Sequence, residues 1–459
     1  MKNMTLAAIA AACNGKLYYG DQSKYPAGYE ATQVIIDSRQ ITEGGVFIAT
    51  PGERVDGHSF IPQVFEKGAL GVVCQTLPTN QYGPCILVED SFKALKDIAT
   101  YYRQQLDIKV VGVTGSVGKT STKEFVAAVL AQKYNVWKTQ KNFNNEVGVP
   151  LTILQVRDEH EVLVLEMGIN HFGEMERLSA IGKPDIAIIT NIGQCHLEYL
   201  IDLDGVLKAK TEIFTGMKDG SLVLLNGDDD KLFTVKKALN GDTVFFGKSS
   251  KHSYYFENFE NLGLLGSDVT LKSVKSGMTV KAHIPLPGEH MVYNATVAMA
   301  VGEALGLSSD EISAGLLAVP FTSGRSNIIK TDKYTIIDDC YNANPTSMKS
   351  AINLLCMANT AKVAILGDMF ELGENEVELH KEVGRFAATS GIDVLICIGK
   401  LSKFMYDAAN EEQTAMVYYF DSLDTALQSV KNMLTTGDSI LIKASHSMGF
   451  EKLVEFLQN

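Results

Sequence analysis

The sequence has 459 residues, of which 46% are hydrophobic and 21% are charged. This length predicts roughly two to four domains, and the composition is typical of a soluble globular protein. The formal net charge of −13 at pH 7 argues against a general binder of nucleic acids or of anionic membranes. Any phosphate-bearing ligand must therefore be held by local cations and backbone amides.

Several features bear on the cellular compartment. The first residues form a short apolar run that Asn14 interrupts, which favours a helix capped by Thr5 over a signal peptide. No apolar run approaches the length needed to span a bilayer. The seven cysteines include no Cys-x-x-Cys pair, which is typical of free thiols in a reducing compartment. We therefore expect a cytoplasmic protein.

The first block of the chain has short strand-like runs at 34–36, 46–48 and 71–74. Two polar stretches follow strands, Asp-Ser-Arg at 37–39 and Arg-Val-Asp-Gly-His at 54–58. Loops at strand ends bind ligands in α/β domains. Capping and surface turns explain the same residues equally well, so both interpretations stay open.

The segment 110–122 reads Val-Val-Gly-Val-Thr-Gly-Ser-Val-Gly-Lys-Thr-Ser-Thr, which predicts a strand, a glycine-rich turn and a helix. Such a turn directs backbone N–H groups toward a phosphate, and the helix N-terminus adds partial positive charge. Lys119 would reach the β- and γ-phosphates, and Thr120 would ligate Mg²⁺. The general phosphate-loop pattern requires glycine where this chain has Val113, and an ordinary glycine turn is the alternative.

Beyond residue 108 the pattern is α/β throughout. Continuous apolar runs at 162–165, 185–190 and 221–225 predict strands that are buried on both faces of a mainly parallel sheet. Polar residues at the carboxyl ends of these strands would then lie at the ligand edge, beside the phosphate loop.

Three side chains in this block are candidates. Glu166 ends a buried strand, where an unpaired carboxylate is costly, so it is either a Mg²⁺ ligand beside Thr120 or part of a structural salt bridge. His196 follows the next strand and is either a metal ligand or a satisfied structural residue. The spacing around Lys210 predicts a helix on which this residue is an ordinary solvated lysine.

The alternation of strands and helices is interrupted near residues 319–325. A further α/β block follows, with predicted strands at 335–337, 363–366, 394–397 and 439–442. Helical patterns occur at 425–430 and 451–457. The run Asp-Asp-Cys-Tyr-Asn-Ala-Asn-Pro at 338–345 ends a strand and has the character of a polar ligand edge. Capping of the next helix is the alternative, but it explains Asn344 alone.

The phosphate loop at 114–121 is similar to that of the Mur ligases, the ATP-dependent amide-forming enzymes of peptidoglycan precursor synthesis. That variant also lacks the first glycine of the general pattern. Further motifs follow in the order of the family, at 141–150, 165–168, 287–290 with Asn294, 339–345 and 366–373. The resemblance spans nearly the whole chain.

The resemblance implies an α/β protein of three domains. A central P-loop-type ATPase domain with a mainly parallel sheet would occupy 107–321. An N-terminal α/β domain at 1–106 would bind the UDP-sugar precursor, and a C-terminal Rossmann-like α/β domain at 322–459 would bind the acceptor.

The resemblance also assigns roles to individual residues. Thr120 and Glu166 would hold one Mg²⁺, and His196 would hold a second together with Lys210, which is carbamylated by CO₂ in this family. Carbamylation requires a neutral lysine, so burial must lower the pKa of Lys210. Arg325 would meet the γ-phosphate from the third domain. The implied catalytic residues are Lys119, His196, Lys210 and Arg325.

The implied ligand contacts fall into two groups. ATP would be bound by the loop and by residues that contact adenine (Asn294), the γ-phosphate (Arg325) and ribose (Asp339); the loop residues are Gly115, Ser116, Val117, Gly118, Lys119, Thr120 and Ser121. The other substrates would be bound by Ser38, Arg39, Asn144 and Asn145.

The motifs at 142–146, 341–345 and 366–373 favour the family members that join D-alanyl-D-alanine to UDP-N-acetylmuramoyl-tripeptide through an acyl phosphate. The expected partners are these two substrates and ATP, with no nucleic acid and no membrane span, and the expected state is a monomer.

A neighbouring Mur ligase that adds the third amino acid is the alternative among enzymes. Folate ligases start almost directly with the phosphate loop, so the first domain argues against them. A non-catalytic nucleotide-binding scaffold would not need the second set of metal ligands.

Overall fold

The computed structural model describes residues 1–52, 55–235, 242–321 and 323–458. Arg54 of the polar stretch at 54–58 and Thr322 at the predicted domain boundary lie outside these residues. Within the described part of the chain, the strands form three sheets of five, nine and six strands.

The first sheet has the strand order β1-β5-β4-β3-β2 and is parallel except for the β1–β5 pair. Its strands and helices are β1 (Lys16–Tyr18), β2 (Val34–Ile35), β3 (Val46–Ile48), β4 (Gly71–Cys74), β5 (Cys85–Leu87), α1 (Leu6–Ala12), α2 (Ile61–Glu66) and α3 (Ser91–Gln105). The predicted cap is confirmed, because the Thr5 hydroxyl accepts a hydrogen bond from the N–H of Ala8. Asp37 and Asp56 likewise accept bonds from N–H groups two residues onward, as turn residues do.

The central sheet has the strand order β14-β13-β12-β11-β10-β9-β6-β8-β7. Its strands are β6 (Lys109–Thr114), β7 (Val136–Lys138), β8 (Val162–Glu166), β9 (Ile186–Ile189), β10 (Leu222–Asn226), β11 (Asp242–Gly247), β12 (Tyr254–Asn261), β13 (Ser267–Ser273) and β14 (Thr279–Ile284). The β12–β13 and β13–β14 pairs are antiparallel, and every other pair of neighbouring strands in this sheet is parallel. The prediction of a mainly parallel sheet is confirmed.

The central helices cover the faces of this sheet. They are α4 (Lys119–Leu130), α5 (Gly148–Leu154), α6 (Glu174–Gly182), α7 (Leu197–Leu200), α8 (Leu203–Thr211), α9 (Asp230–Thr234), α10 (Glu289–Ala304) and α11 (Ser309–Leu317). The chain leaves β6 for β7 and β8 on one side and returns to β9 and β10 on the other. The phosphate loop after β6 thus lies at the point where strand order reverses, where open α/β sheets form their binding crevice.

The third sheet has the strand order β15-β16-β20-β17-β18-β19 and is parallel except for the β15–β16 pair. Its elements are β15 (Asn327–Lys330), β16 (Thr335–Asp338), β17 (Lys362–Gly367), β18 (Val394–Ile398), β19 (Met416–Phe420), β20 (Ser439–Lys443), α12 (Pro345–Cys356), α13 (Glu376–Thr389), α14 (Ser402–Glu412), α15 (Leu423–Leu427) and α16 (Glu451–Gln458). The four predicted strands are present, and β15 and β19 are additional edge strands. The helix predicted at 425–430 begins earlier, at Leu423.

The first two domains share a hydrophobic core, whereas the third has cores of its own. Tyr102 on α3 is buried and donates a 2.7 Å hydrogen bond to the carbonyl of Val156, and the Arg103 Nε–H donates a 2.9 Å bond to the carbonyl of Gly182. Such buried contacts hold the first domain against the central one. The third domain has no comparable shared core in the described residues, which favours motion at its boundary.

All seven cysteines are free in the structure. Among the described helices, none combines the length and the apolar character needed to cross a membrane.

Candidate active site

A cavity of about 1110 Å³ lies between the central domain and the third domain. The carboxyl edges of both sheets line it, through the phosphate loop, the loops after β8 and β9, and the loops after β16, β17 and β20. Two residues predicted to bind substrate, Ser38 and Arg39, are not among its lining residues. The cavity therefore brings together most candidate residues of the central and third domains; Gly115 and Lys210 are not among its lining residues, and the candidates of the first domain lie elsewhere.

The phosphate loop is held in place by the segment that follows β9. Thr190 donates a 2.6 Å hydrogen bond from its hydroxyl to the carbonyl of Val117, and the Val117 N–H donates one of 3.0 Å to the Asn191 side chain. The Ser116 N–H donates to the Asn191 carbonyl at 3.0 Å. Thr190 and Asn191 thus position the loop, a role that the sequence did not predict although both lie at a predicted strand end.

Gly115 and Gly118 give the loop its shape. Their φ angles are 147° and 83°, in the region that favours glycine. A Cβ atom on Gly115 would lie 1.9 Å from the Thr190 hydroxyl oxygen, so no side chain fits at this position without movement of Thr190. The backbone geometry thus requires glycine at positions 115 and 118. Position 113 lies within the strand β6, where valine fits and no glycine is required.

Lys119 is the first residue of α4 and is partly buried at the cavity wall. Its ammonium donates a 2.7 Å hydrogen bond to the Gly115 carbonyl, so it lies folded over the loop. Burial, assisted by the nearby charge of Lys210, lowers the pKa of Lys119 to about 8. A phosphate group bound in the loop would restore the charged form.

Glu166 is the last residue of β8 and is 1% exposed. Its Oε1 accepts hydrogen bonds from the Thr120 hydroxyl at 3.1 Å and from the Asn144 amide at 2.8 Å. Its Oε2 is buried without a hydrogen bond, and the Lys123 ammonium lies 3.8 Å away. The structure thus has the salt bridge named as the alternative for Glu166. A buried carboxylate oxygen without a hydrogen bond, beside a threonine hydroxyl, also fits a hard cation such as Mg²⁺, which binds oxygen ligands.

Lys210 lies on α8 and is 1% exposed, so the expectation of a solvated lysine, drawn from spacing, is wrong. Val206, Ala209 and Ile213 are buried with it, which places Lys210 on the apolar stripe of this helix. No hydrogen bond to its ammonium is found among the described residues. Burial lowers the pKa of Lys210, and a lysine in this state reacts readily as a neutral amine.

His196 precedes α7 with a left-handed backbone at φ 52°. Its Nδ1 lies 2.6 Å from Oε2 of Glu371, which belongs to the loop after β17 in the third domain. Glu371 lies in the motif at 366–373, but the sequence predicts no role for it, since a contact between residues 175 positions apart leaves no local signal.

Some of the remaining candidates line the cavity, and some make hydrogen bonds that stabilise the local backbone. Asn294 on α10 is buried in the cavity wall, where its side-chain oxygen accepts a 2.8 Å hydrogen bond from Thr122. Asn145 also lines the cavity, but its side chain accepts bonds from the N–H groups of Val147 and Gly148 at the start of α5. Asn344 caps α12, so the capping interpretation holds for this residue.

Two candidates of the third domain are part of a polar cluster. The guanidinium of Arg325 lies 3.9 Å from the ring centre of Tyr341. Asp339 is buried, receives a 2.5 Å bond from the Lys443 ammonium and accepts a 2.8 Å bond from the Ser326 N–H. Both residues line the cavity, and Lys443 is a positioning contact that the sequence reasoning left unassigned.

The two candidates of the first domain have local partners. Arg39 is exposed and pairs with Asp37 at 2.8 Å, while Ser38 is buried and its carbonyl accepts a bond from Lys67. Within the described residues, no group of three or more His, Cys, Asp or Glu side chains is arranged to hold a metal ion. A metal in the cavity would therefore depend on hydroxyl and substrate oxygens besides Glu166, as Mg²⁺ sites commonly do.

Comparisons with known families match all three parts of the chain. Residues 30–110 match the Mur ligase family catalytic domain, residues 113–302 the Mur ligase middle domain, and residues 324–446 the Mur ligase glutamate ligase domain.

Individual proteins are similar over nearly the full length. The UDP-N-acetylmuramoyl-tripeptide–D-alanyl-D-alanine ligase of Bacillus subtilis (strain 168) is 38% identical over 431 residues, which cover 92% of each chain. A crystal structure of MurF from Acinetobacter baumannii superposes with a TM-score of 0.89 at 31% identity and covers 99% of this chain and 98% of that one. The MurF ligase of Thermotoga maritima, solved in complex with ADP, superposes with a TM-score of 0.82 at 28% identity, covering 93% and 97% of the two chains.

Proposed function

The chain belongs to the Mur ligase family, and on that premise we propose that it joins D-alanyl-D-alanine to UDP-N-acetylmuramoyl-tripeptide at the expense of ATP. The products are the UDP-muramoyl-pentapeptide precursor of peptidoglycan, ADP and phosphate. The observation that carries the proposal is the cavity itself, which is lined by the phosphate loop, by Glu166 with its Oε2 free of hydrogen bonds, and by residues of the third domain.

The reaction has two chemical steps. The terminal carboxylate of the tripeptide attacks the γ-phosphorus of ATP, the bond to the β-phosphate breaks, and the products are ADP and an acyl phosphate. The amine of D-alanyl-D-alanine then attacks the acyl carbon, loses a proton, and expels phosphate with the oxygen that the carboxylate contributed. Phosphorylation is needed because a free carboxylate is a poor acyl donor.

The residues of the cavity fit this sequence. Lys119 and the loop N–H groups would hold the phosphates, and Arg325 would add a cation at the γ-phosphate from the third domain. Asn294 would contact adenine and Asp339 the ribose. Closure of the third domain would exclude water that would otherwise hydrolyse the acyl phosphate.

Two Mg²⁺ sites belong to the proposal. Thr120 and Glu166 would hold one ion, as the unsatisfied Oε2 of Glu166 suggests. His196 and a carbamylated Lys210 would hold the second, because carbamylation turns the amine into an oxygen ligand and needs the lowered pKa that burial gives. When bound, the ions would offset the negative charge crowded between the carboxylate and the γ-phosphate.

The other assignments extend the same proposal. Ser38 and Arg39 in the first domain would bind the UDP end of the precursor, while Asn144 and Asn145 at the cavity wall would face its peptide end. The domain bounds at residues 106 and 321 are part of the proposal; residue 321 falls in the gap between the family matches that end at 302 and begin at 324, and residue 106 lies four residues before the first match ends at 110. The enzyme would act as a monomer in the cytoplasm, where ATP and nucleotide-linked precursors are available.

Phosphate release from ATP tests this function. The assay uses UDP-N-acetylmuramoyl-tripeptide with D-alanyl-D-alanine, with D-alanine alone, or with no acceptor. We expect release that depends on the dipeptide, and a product heavier by the dipeptide residue. Release driven by a single amino acid on a shorter precursor would assign a neighbouring ligase activity. Retained ATP binding with no release for any pair would favour a scaffold.

A further inference from the structure

Glu371 lies at the contact between the third domain and the segment that carries His196. It follows β17 in the motif at 366–373 and has a left-handed backbone with φ 61°, which is uncommon for glutamate. His196 on the facing segment has φ 52°. Two non-glycine residues in this conformation at one contact indicate that the surrounding structure fixes the direction of both side chains.

The hydrogen bond between them assigns the imidazole nitrogens. Because an ionised carboxylate only accepts, the Nδ1 of His196 carries the proton and donates to Glu371 at 2.6 Å. In neutral histidine, Nε2 then keeps its lone pair and can bind a metal ion. Carboxylates that hold a ligating histidine in this way orient the ring and raise its basicity.

We propose that Glu371 is a positioning residue that holds His196 in its metal-binding orientation, and that it does so only while the third domain is docked. This inference rests on the proposed function, in which His196 ligates the second Mg²⁺. Since the third domain has its own hydrophobic cores, docking is separable from folding. Docking would thereby complete a metal ligand as well as close the cavity.

An interdomain contact without influence on metal binding is the competing explanation. In that case, loss of Glu371 would weaken domain closure and every ligand that depends on it. Under our proposal, loss of Glu371 lowers the metal affinity of one site only, while nucleotide binding in the absence of divalent metal is retained. The two explanations therefore differ in a binding measurement that needs no turnover.

The experiment is a titration with Mn²⁺, followed by electron paramagnetic resonance, on the full chain with bicarbonate and the non-hydrolysable ATP analogue AMP-PCP. It compares the wild type with Glu371→Ala, Glu371→Gln and Glu374→Ala. Glu374 is an exposed carboxylate three residues further on, at the next turn, and serves as the matched control. Binding of AMP-PCP in EDTA is measured in parallel by calorimetry.

We expect the wild type to bind two Mn²⁺ ions and Glu371→Ala to bind one of them about tenfold more weakly. Glu371→Gln should stay close to the wild type, because its side-chain oxygen can still accept the Nδ1 proton. Glu374→Ala should match the wild type throughout, and AMP-PCP affinity in EDTA should not change.

Two results would overturn the inference alone: wild-type Mn²⁺ binding by Glu371→Ala, or an equal loss of AMP-PCP affinity in EDTA. A wild-type protein that binds a single Mn²⁺ would overturn the proposed second metal site, and this inference with it.

Discussion

Replacement of Gly115 by alanine tests whether the phosphate loop must keep its observed backbone to bind a nucleotide. The added Cβ would lie 1.9 Å from the Thr190 hydroxyl oxygen and 3.1 Å from the Thr190 backbone nitrogen. That hydroxyl is itself held by its 2.6 Å bond to the Val117 carbonyl, so it cannot move without loss of this bond. The loop would have to change shape.

The cost follows from two effects. A non-glycine residue held at φ 147° costs about 1–3 kcal/mol, and loss of the Thr190 hydrogen bond costs about 0.5–1.5 kcal/mol. If the loop relaxes in the free protein and must be reshaped on binding, the sum weakens ADP binding by about tenfold to about a thousandfold.

Isothermal titration of ADP in the presence of Mg²⁺ measures this effect, and circular dichroism confirms that the variant is folded. Gly437→Ala is the matched control, because Gly437 has φ 101° and open space around it, far from the loop. This control should lose some stability but bind ADP normally. The double variant Gly115→Ala with Thr190→Ala should recover part of the affinity. Wild-type affinity in Gly115→Ala would show that ADP binding does not depend on the observed backbone of the loop.

Three further predictions concern charged groups, two of them at the cavity wall and the third, Lys210, buried on α8. Lys210→Ala should lose nearly all ligation and regain part of it with added short carboxylates such as formate; full activity in this variant would contradict the carbamate. Because the pKa of Lys119 is lowered to about 8, ADP affinity without bicarbonate should fall as the pH rises from 7 to 9. Lys119→Arg, which stays charged, should show no such fall, and an equal fall in both proteins would exclude Lys119 as its source. Glu166→Gln should weaken Mn²⁺ binding at least tenfold by electron paramagnetic resonance; an unchanged titration would remove Glu166 from the metal site.

The elements that could be predicted from the sequence have continuous apolar runs or are bounded by clear turn and capping residues. The strands around the phosphate loop were found because parallel strands buried on both faces read as unbroken apolar stretches. In the same sheet, β7 and the strands β11 to β14 were missed. In β13, for example, Asp268 is exposed between the buried residues Ser267 and Val269, so the run of apolar residues is broken.

For the candidate site, local sequence patterns identified several of the residues but not their burial or their partners in the fold. Glu166 was recognisable because it ends a buried strand. The burial of Lys210 was readable in principle, since it shares a helix face with Val206 and Ile213, but a lysine in an amphipathic helix is usually solvated. The pairing of Glu371 with His196 depends on how two domains meet, which no spacing along the chain encodes.

In the proposed mechanism, the peptide carboxylate is activated by direct transfer of the γ-phosphoryl group. UDP-N-acetylmuramoyl-tripeptide labelled with ¹⁸O in its terminal carboxylate tests it, with mass analysis of the phosphate released when D-alanyl-D-alanine is added. The mechanism predicts one ¹⁸O atom in each phosphate, because the leaving phosphate keeps the oxygen that attacked ATP. Unlabelled phosphate released together with pentapeptide would contradict the acyl-phosphate route.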